Sequence, residues 1–332
     1  MKAILSRSAG GPATLVLDDV AEPEPGADEV RVHVHACGVN YPDTLIIEDK
    51  YQFKPDRPFS PGGEVAGVID AVGGAVAGLS VGDKVIALVG WGGMAEKVVT
   101  KATKCLPMPT NMPFDEAAAF IFTYGTSYYA LKQRGNLQAE QTLLVLGAAG
   151  GVGLAAVELG FAMGARVIAA ASTQAKVNLA IEHGATSGVV YPTGQLDKAA
   201  AKTLTGEFKQ ATGKLGADVI YDAVGGDYAE AALRAIAWEG RFLVIGFPAG
   251  IPSIPLNLAL LKGCQIVGVF WGAFAERDPA ESQQNGEELI ALYADGKIRP
   301  YVSAHYPLAE AGKAISDLAE RRAMGKVVVT IA

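Results

Sequence analysis

Residues 142–153 read TLLVLGAAGGVG, an apolar run of strand length that passes directly into a glycine-rich turn. The segment from Leu154 to Met163 is apolar over the length of a helix, and a second apolar run, Arg166 to Ala170, follows it. A strand, a glycine-rich turn, a helix and a second strand in this order are typical of the first βαβ unit of a Rossmann fold. Such a turn lets the backbone approach a pyrophosphate, which the free N–H groups at the helix start stabilise. The stretch therefore predicts a dinucleotide-binding unit.

The glycine spacing departs from the usual fingerprint at one position. The register is Ala148-x-Gly150-x-x-Gly153, so an alanine stands where the first glycine usually lies. A glycine match alone could be an ordinary tight turn, but here the flanking strands and helix lie where the motif requires them. The residues expected to surround the cofactor phosphates are Ala149, Gly150, Gly151, Val152 and Gly153.

The end of the second strand predicts which dinucleotide binds. Enzymes that use NAD place an Asp or Glu there, about 20 residues beyond the glycines, to accept hydrogen bonds from the ribose hydroxyls. This chain has Ser172 and Thr173 instead, followed by Lys176. Hydroxyl groups and an ammonium can donate to a 2′-phosphate. The sequence favours NADPH; the alternatives are that Lys176 is a solvated helix residue and that the site accepts either cofactor.

The rest of the chain indicates an α/β protein with two parts. Residues 1–120 contain short runs broken by Gly and Pro, and the strict alternation from Glu29 to His35 predicts a half-buried strand in a β-rich unit. After residue 115, short apolar runs alternate with helix-length segments, which is typical of a doubly wound parallel sheet covered on both faces. Past residue 265 we expect a strand at 265–270, helices at 280–295 and 308–321, and a final strand at 326–331.

Composition narrows the class of partner. The chain has 332 residues, 50% of them apolar, and a net charge of −7, so a folded enzyme with a small-molecule partner fits better than a protein that binds nucleic acid or a membrane surface. Its three cysteines, Cys37, Cys105 and Cys264, contain no CxxC pair and predict neither disulfides nor a thiolate metal cage. With no signal-peptide core visible, a cytoplasmic location is expected.

Five segments together resemble the medium-chain dehydrogenase/reductase superfamily, and within it the quinone oxidoreductase branch related to ζ-crystallin. They are residues 36–43, 61–67, 81–85, 148–153 and 322–328. The resemblance covers essentially the whole chain. It implies a GroES-like β-rich catalytic domain formed by residues 1–122 and 268–332, with a Rossmann NADPH-binding domain, residues 123–267, inserted between the two segments.

The resemblance also implies that no metal is used. Zinc-dependent alcohol dehydrogenases of this superfamily carry a Cys at the position of Asn40 and a His at the position of Gly63, and neither replacement binds zinc in that way. The four-cysteine zinc loop is also absent, since only Cys105 lies near its place. Without a Lewis acid to polarise an alkoxide, alcohol oxidation loses its main source of activation. A quinone or an α,β-unsaturated carbonyl compound is already electron-poor and still accepts hydride.

The same resemblance implies catalytic roles for a few polar residues. Asn40 would lie beside the nicotinamide and orient the ring or donate to the substrate; its alternative role is to cap local backbone. Tyr51 matches a tyrosine of the cofactor cleft, and its phenol is a plausible donor to a developing enolate. Some relatives carry a second tyrosine where this chain has Leu45, so Tyr41 is the candidate substitute, with a packed aromatic as the alternative.

Further cofactor contacts follow from the resemblance. One residue lies on the helix that leads into the Rossmann domain, one follows its third strand, two segments follow its last strands, and one belongs to the C-terminal motif. These residues are Thr126, Tyr191, Ile245, Gly246, Phe247, Val269, Phe270, Trp271 and Lys326. Glu64 and Asp43 are expected to be structural rather than proton carriers.

Two other functions remain open from the sequence. A reductase of 2-enals, 2-haloacrylates or enoyl-CoA would be favoured by a basic entrance, for which Lys50, Lys54 and Arg57 are candidates. A nonenzymatic NADPH-binding protein, crystallin-like or RNA-binding, belongs to a different class.

Whatever the activity, the apolar run at 265–270 would be an open sheet edge in a monomer, so a homodimer is expected.

Overall fold

The computed structural model describes residues 1–331 and divides the chain into two compact units. The first consists of Met1–Phe122 and the chain from Arg299 onward, and the second is Thr123–Ile298. The return to the first unit comes at Arg299 rather than at the expected residue 268. Residues 268–298 remain with the second unit because their longer helix, Pro279–Ala294, is held to it. Glu288 Oε2 on this helix lies 2.5 Å from Lys132 Nζ.

The first unit is rich in β-structure. Numbered along the whole chain, its elements are β1 (Lys2–Leu5), β2 (Val16–Asp19), β3 (Glu29–Val39), α1 (Tyr41–Ile46), β4 (Glu64–Val72), β5 (Lys84–Leu88), β6 (Lys97–Lys101), β7 (Cys105–Pro107), α2 (Phe114–Ala117), β14 (Val302–Pro307), α11 (Ala311–Ala319) and β15 (Lys326–Thr330). Seven strands form one sheet in the order β14-β15-β3-β4-β5-β7, with β6 also paired to β3. The first and last segments of the chain therefore share this sheet.

The alternation predicted for β3 is present, and the polar face of the strand is half-buried rather than fully exposed. Val30, Val32 and Val34 are fully buried. On the opposite face His33 and His35 are half-buried, and the His35 ring stacks on Phe114 with 4.2 Å between ring centres. The short helix α2 covers this part of the strand, which sequence alternation alone could not reveal.

The second unit contains a parallel sheet with helices. Its elements are α3 (Ile121–Tyr129), a π-helical turn (Ala130–Arg134), β8 (Thr142–Leu146), α4 (Gly151–Ala162), β9 (Arg166–Ala171), α5 (Gln174–Glu182), β10 (Ser187–Val190), α6 (Lys198–Thr212), β11 (Ala217–Asp222), α7 (Tyr228–Leu233), β12 (Ile236–Val244), α8 (Asn257–Lys262), β13 (Gln265–Gly268), α9 (Trp271–Arg277) and α10 (Pro279–Ala294). The strand order is β10-β9-β8-β11-β12-β13, and every pair is parallel.

This order places the predicted cofactor loops together. In this doubly wound order the first three strands are added toward one side of the sheet and the next three toward the other, so the order reverses between β8 and β11. Ligands bind beyond the carboxyl ends of the strands at such a point. The last residues of neighbouring strands lie side by side: Asp222 pairs with Leu146 of β8 and with Val244 of β12. The loops after these strands therefore leave the sheet together, at the carboxyl ends of its strands.

The strand expected at 265–270 ends earlier, at Gly268.

Candidate functional site

The glycine that makes the sharp turn after β8 is Gly147. Its φ of 73° lies in the left-handed region, and a Cβ added there would lie 3.0 Å from Cγ2 of Val224. Ala148 is buried and lies outside that backbone region. The alanine in the fingerprint is therefore tolerated because the preceding glycine supplies the unusual backbone conformation.

The start of α4 is open to a ligand. Gly150 is the N-cap of α4 and has no side chain to cap the first turn, so the N–H groups of that turn receive no side-chain acceptor. Gly150 is exposed, and Gly151 and Val152 are half-buried. A Cβ on Gly153 would lie only 2.0 Å from the carbonyl oxygen of Gly147, so glycine allows the helix to approach the turn closely. These features fit a bound pyrophosphate.

A buried hydroxyl pair supports this turn, and no pattern in the sequence indicated it. Ser127 Oγ on α3 donates to the carbonyl oxygen of Val152 at 2.9 Å and lies 2.9 Å from the hydroxyl of Tyr221. Tyr221 is fully buried, and this burial raises the pKa of its phenol, so the group stays neutral. The pair links α3 and β11 to the first turn of α4.

The loop after β9 carries the residues predicted for the 2′-phosphate. Ser172 is half-buried and Thr173 exposed. Thr173 also has a structural role, because its Oγ1 accepts a hydrogen bond from the backbone N–H of Lys176 at 3.3 Å and caps α5. The cap occupies the oxygen and leaves the hydroxyl hydrogen available. Tyr191 follows β10 beside this loop, because its backbone N–H donates to the carbonyl oxygen of Ala171 at 3.0 Å.

The segment Ile245–Phe247 is held against the end of β11. The carbonyl oxygen of Asp222 accepts hydrogen bonds from the backbone N–H groups of Ile245 at 3.0 Å and Gly246 at 3.4 Å. The Asp222 carboxylate is used locally, since it accepts from the N–H groups of Val224 and Gly225, both at 2.9 Å. Phe247 is left 41% exposed at the same edge.

Trp271, a predicted nicotinamide neighbour, packs against α3 at the residue next to Thr126. A Cβ on Gly125 would lie 2.7 Å from Cζ2 of the buried Trp271, so glycine permits this contact beside Thr126. Val269 continues the sheet by one hydrogen bond, and Phe270 is half exposed before the helix begins. The second unit thus gathers its predicted cofactor residues at the carboxyl edge of its sheet and on the neighbouring α3.

Asn40 in the first unit is enclosed by its own hydrogen bonds. Its Nδ2 donates to the carbonyl oxygen of Gly38 at 3.3 Å and to Glu64 Oε2 at 3.1 Å, and its Oδ1 accepts from Lys326 Nζ at 2.6 Å. Because a lysine ammonium only donates, this contact fixes which end of the amide is the oxygen. Both amide hydrogens are therefore already donated within the first unit.

Lys326 is a buried cation, whereas the family resemblance implied only a contact with the cofactor. The residue is 4% exposed, and its ammonium also lies 3.4 Å from Oε2 of the fully buried Glu64. The other carboxylate oxygen of Glu64 accepts from the N–H of Phe122 at 2.8 Å. Every charge in this group thus has a partner, as burial requires.

Asp43 closes the turn between β3 and α1. Its carboxyl group accepts hydrogen bonds from the backbone N–H groups of Asn40 at 2.7 Å and Gly62 at 3.0 Å. Burial raises the pKa of Asp43 to about 6. This position fits the structural role expected for the residue.

The two candidate tyrosines differ in environment. Tyr41 begins α1 and is 38% exposed. Tyr51 is half-buried, burial raises its pKa, and its hydroxyl donates to no atom within residues 1–331.

The basic entrance considered for a CoA thioester is largely neutralised. Lys50 pairs with Glu48 at 2.5 Å, and Arg57 pairs with Asp49 at 2.7 Å. Lys54 is exposed.

The described chain, residues 1–331, contains no group of three or more His, Cys, Asp or Glu side chains arranged to hold a metal ion. Within the same residues, every helix is too short or too polar to cross a membrane.

Comparison with known proteins supports the assignment of both parts of the chain. Residues 26–110 match the family described as alcohol dehydrogenase GroES-like domain, and residues 151–290 match the family described as zinc-binding dehydrogenase. The quinone oxidoreductase-like protein 2 homolog of Nematostella vectensis is 39% identical, over 99% of this chain and 88% of its own length. The quinone oxidoreductase of Pseudomonas aeruginosa is 33% identical, over 99% of both chains.

A solved structure of a related protein also resembles this chain over both units. Mycobacterial Rv1454c complexed with NADPH superimposes with a TM-score of 0.91 at 30% identity, over 99% of both chains. Likeness of this extent in sequence and fold, across both units, confirms the resemblance noted in the sequence. The chain therefore belongs to the quinone oxidoreductase branch of the medium-chain dehydrogenase/reductase superfamily.

Proposed function

We propose that this protein is an NADPH-dependent quinone oxidoreductase that transfers hydride to a quinone or another conjugated carbonyl compound without zinc. The observation that carries the proposal is the uncapped first turn of α4, which lies at the same end of the sheet as the loop after β9. In place of a carboxylate, that loop carries the hydroxyls of Ser172 and Thr173, and Lys176 follows in the first turn of α5. The NADPH found in the mycobacterial relative supports the choice of cofactor.

The second unit is proposed to hold NADPH at the carboxyl edge of its sheet. The N–H groups of Gly151, Val152 and Gly153 bind the pyrophosphate, with Ala149 and Gly150 forming the turn beneath it. The 2′-phosphate is bound by the groups after β9 and β10, namely Ser172, Thr173, Lys176 and Tyr191. The nicotinamide is bordered by Thr126, Ile245, Gly246, Phe247, Val269, Phe270 and Trp271. When bound, NADPH supplies the hydride.

In the first unit, Tyr51 is proposed to stabilise the acceptor's oxygen as negative charge develops on it. The phenol is protonated at neutral pH because its ordinary pKa of 10 is raised further by burial, and its hydroxyl has no internal acceptor among residues 1–331. A donor aimed at developing charge is worth several kcal/mol in a site that excludes water. Tyr41, exposed at the start of α1, is the second candidate donor. Such donors replace the Lewis acid that Asn40 and Gly63 do not hold.

The acceptor class is tested by following NADPH oxidation with quinones, 2-enals, 2-haloacrylates and enoyl-CoA thioesters. We expect quinones or simple enones to give the highest kcat/KM. A preference for enoyl-CoA would instead assign the protein to carbon–carbon double-bond reduction, which the paired Lys50 and Arg57 do not favour. If NADPH binds tightly and none of these acceptors accelerates its oxidation, the protein is a nonenzymatic NADPH binder.

We also propose that the protein is a homodimer joined along β13. This strand is the last in the six-stranded sheet, so one of its edges has no strand beside it among the described residues. Large apolar side chains on and near the edge are exposed to solvent: Trp238 at 69%, Leu260 at 81%, Leu261 at 66% and Ile266 at 39%. An apolar strand edge of this kind is a natural template for pairing with a second copy.

A further inference from the structure

The ammonium of Lys326 makes its shorter contact with a neutral amide rather than with a carboxylate. Its Nζ lies 2.6 Å from Asn40 Oδ1 and 3.4 Å from Glu64 Oε2. A buried lysine present only to neutralise Glu64 would be expected to make its short, charge-assisted bond to the carboxylate. The geometry therefore indicates that the amide of Asn40 is the group this cation holds.

The orientation of the Asn40 amide depends on both charged neighbours. Lys326 accepts no hydrogen bond and so attracts Oδ1, whereas the ionised Glu64 donates none and so attracts Nδ2, at 3.1 Å. With these two charges on opposite sides, the reversed amide would face a donor with its NH2 group and an acceptor with its oxygen. The three side chains form one ordered array of cation, amide and carboxylate.

This array is connected to the start of α1. The backbone N–H of Asn40 donates to Asp43 at 2.7 Å, and Asp43 also accepts from Gly62 at 3.0 Å. The residue after Asn40 is Tyr41, the first of the helix. Holding Asn40 therefore holds the turn that leads into α1.

We propose that Lys326 is a positioning residue for the reductase reaction: its ammonium fixes the amide of Asn40 and with it the turn into α1 that carries the candidate donor Tyr41. The rate of hydride transfer depends on that position, while NADPH affinity does not. This inference rests on the proposed function. It assigns Lys326 an indirect role in place of the direct cofactor contact implied by its motif. A buried ion pair is weak evidence for stability alone, since apolar replacements are often as stable. The presence of both buried charges is explained by the orientation that they impose on the amide.

The test uses the full-length protein and compares Lys326→Met with the double variant Lys326→Met, Glu64→Gln. The single variant leaves Glu64 buried without its cation and can lose stability. The double variant removes both charges, and the amide that replaces the carboxylate at position 64 can donate to Oδ1 of a reversed Asn40. For each variant, the NADPH dissociation constant is measured by fluorescence titration. Single-turnover oxidation of bound NADPH by a water-soluble 1,4-naphthoquinone gives the rate, and circular dichroism gives the folded fraction.

We expect both variants to transfer hydride at least about tenfold more slowly than the unmodified protein, with an NADPH dissociation constant changed less than about twofold. In Lys326→Ala, methylammonium should restore the rate in a saturable manner, whereas tetramethylammonium, which has no N–H, should not. The role of Lys326 is overturned if the double variant transfers hydride at the unmodified rate, if the rate loss only follows the unfolded fraction, or if NADPH affinity falls in parallel. An unmodified protein that reduces no acceptor overturns the proposed function itself.

Discussion

Asp43 shows how burial changes the chemistry of a single residue. Its carboxyl group is removed from water and has a pKa of about 6, compared with an ordinary value of 3.8. Because the folded-state pKa is the higher one, the folded protein binds this proton more tightly than the unfolded chain does. The resulting stabilisation is fully present below about pH 4 and is lost as the pH rises through 6.

The free energy of unfolding of Asp43→Asn should therefore increase relative to that of the unmodified protein as the pH rises from 4 to 7. The difference in unfolding free energy between the two proteins should change by about 2 kcal/mol over this range, since each unit of pKa shift corresponds to about 1.4 kcal/mol and the carboxyl of the unfolded chain is already more than half ionised at pH 4. Urea unfolding at several pH values measures it. The exposed Asp56→Asn serves as the control. A constant difference for Asp43→Asn across this range would contradict the shift.

The proposed preference for NADPH rests on two residues, Ser172 and Lys176. In the double variant Ser172→Asp, Lys176→Ala, a carboxylate replaces a hydroxyl and a cation is removed, so the 2′-phosphate loses two donors and meets a like charge. The ratio of kcat/KM for NADPH to that for NADH should fall by roughly 100-fold, corresponding to about 3 kcal/mol. The matched control is Lys202→Ala on α6, an exposed lysine outside the sheet edge. An unchanged ratio would show that these residues do not bind the phosphate.

At the scale of elements, the βαβ unit depends on how closely α4 approaches β8. We expect Gly153→Ala to destabilise the fold and weaken NADPH binding at least about tenfold, because the added Cβ would lie 2.0 Å from the Gly147 carbonyl oxygen and must push the helix away. Gly206→Ala on α6 is the matched control, since a Cβ there meets nothing within 4 Å. That change should stabilise the protein by up to about 1 kcal/mol through helix propensity. Equal effects of the two variants, measured by thermal unfolding and NADPH titration, would contradict this account.

The elements around the glycine turn could be predicted because their signals are local. Apolar runs bounded by glycines place β8 and β9 within one residue of their observed ends, and the fingerprint marks the start of α4. The contact between Lys326 and Asn40 joins positions 286 residues apart and leaves no pattern in either neighbourhood. His183 had no predicted role for the same reason, yet its Nδ1 lies 2.6 Å from the buried carboxylate of Glu158.

The elements that were misplaced have physical explanations. The strand predicted at 265–270 ends at Gly268, and Trp271 instead begins α9, where it packs against Gly125. Apolar residues suit a strand and a buried helix start equally, so periodicity could not separate them. The role of Thr173 as a phosphate donor stays a prediction; its Oγ1 also accepts the hydrogen bond that caps α5, which the sequence did not indicate.

For the whole molecule, the central structural prediction is assembly through the edge of β13. Ile266→Lys places a charge on that strand and should convert a dimer into monomers, because charged side chains on an edge strand oppose pairing. Light scattering at micromolar concentration measures the change. Val81→Lys, at an apolar residue of the first unit that is 64% exposed, is the control and should leave the dimer intact. A monomeric unmodified protein would contradict the proposal.

The claim that the whole account depends on is hydride transfer from NADPH without a metal. Its most direct measurement is the rate at which a quinone oxidises NADPH in the presence of protein that has been dialysed against a strong chelator and checked for residual metal. We predict that the metal-depleted protein keeps the full rate, and that added Zn²⁺ does not increase it. Loss of the rate on chelation, with recovery on addition of Zn²⁺, would contradict the account.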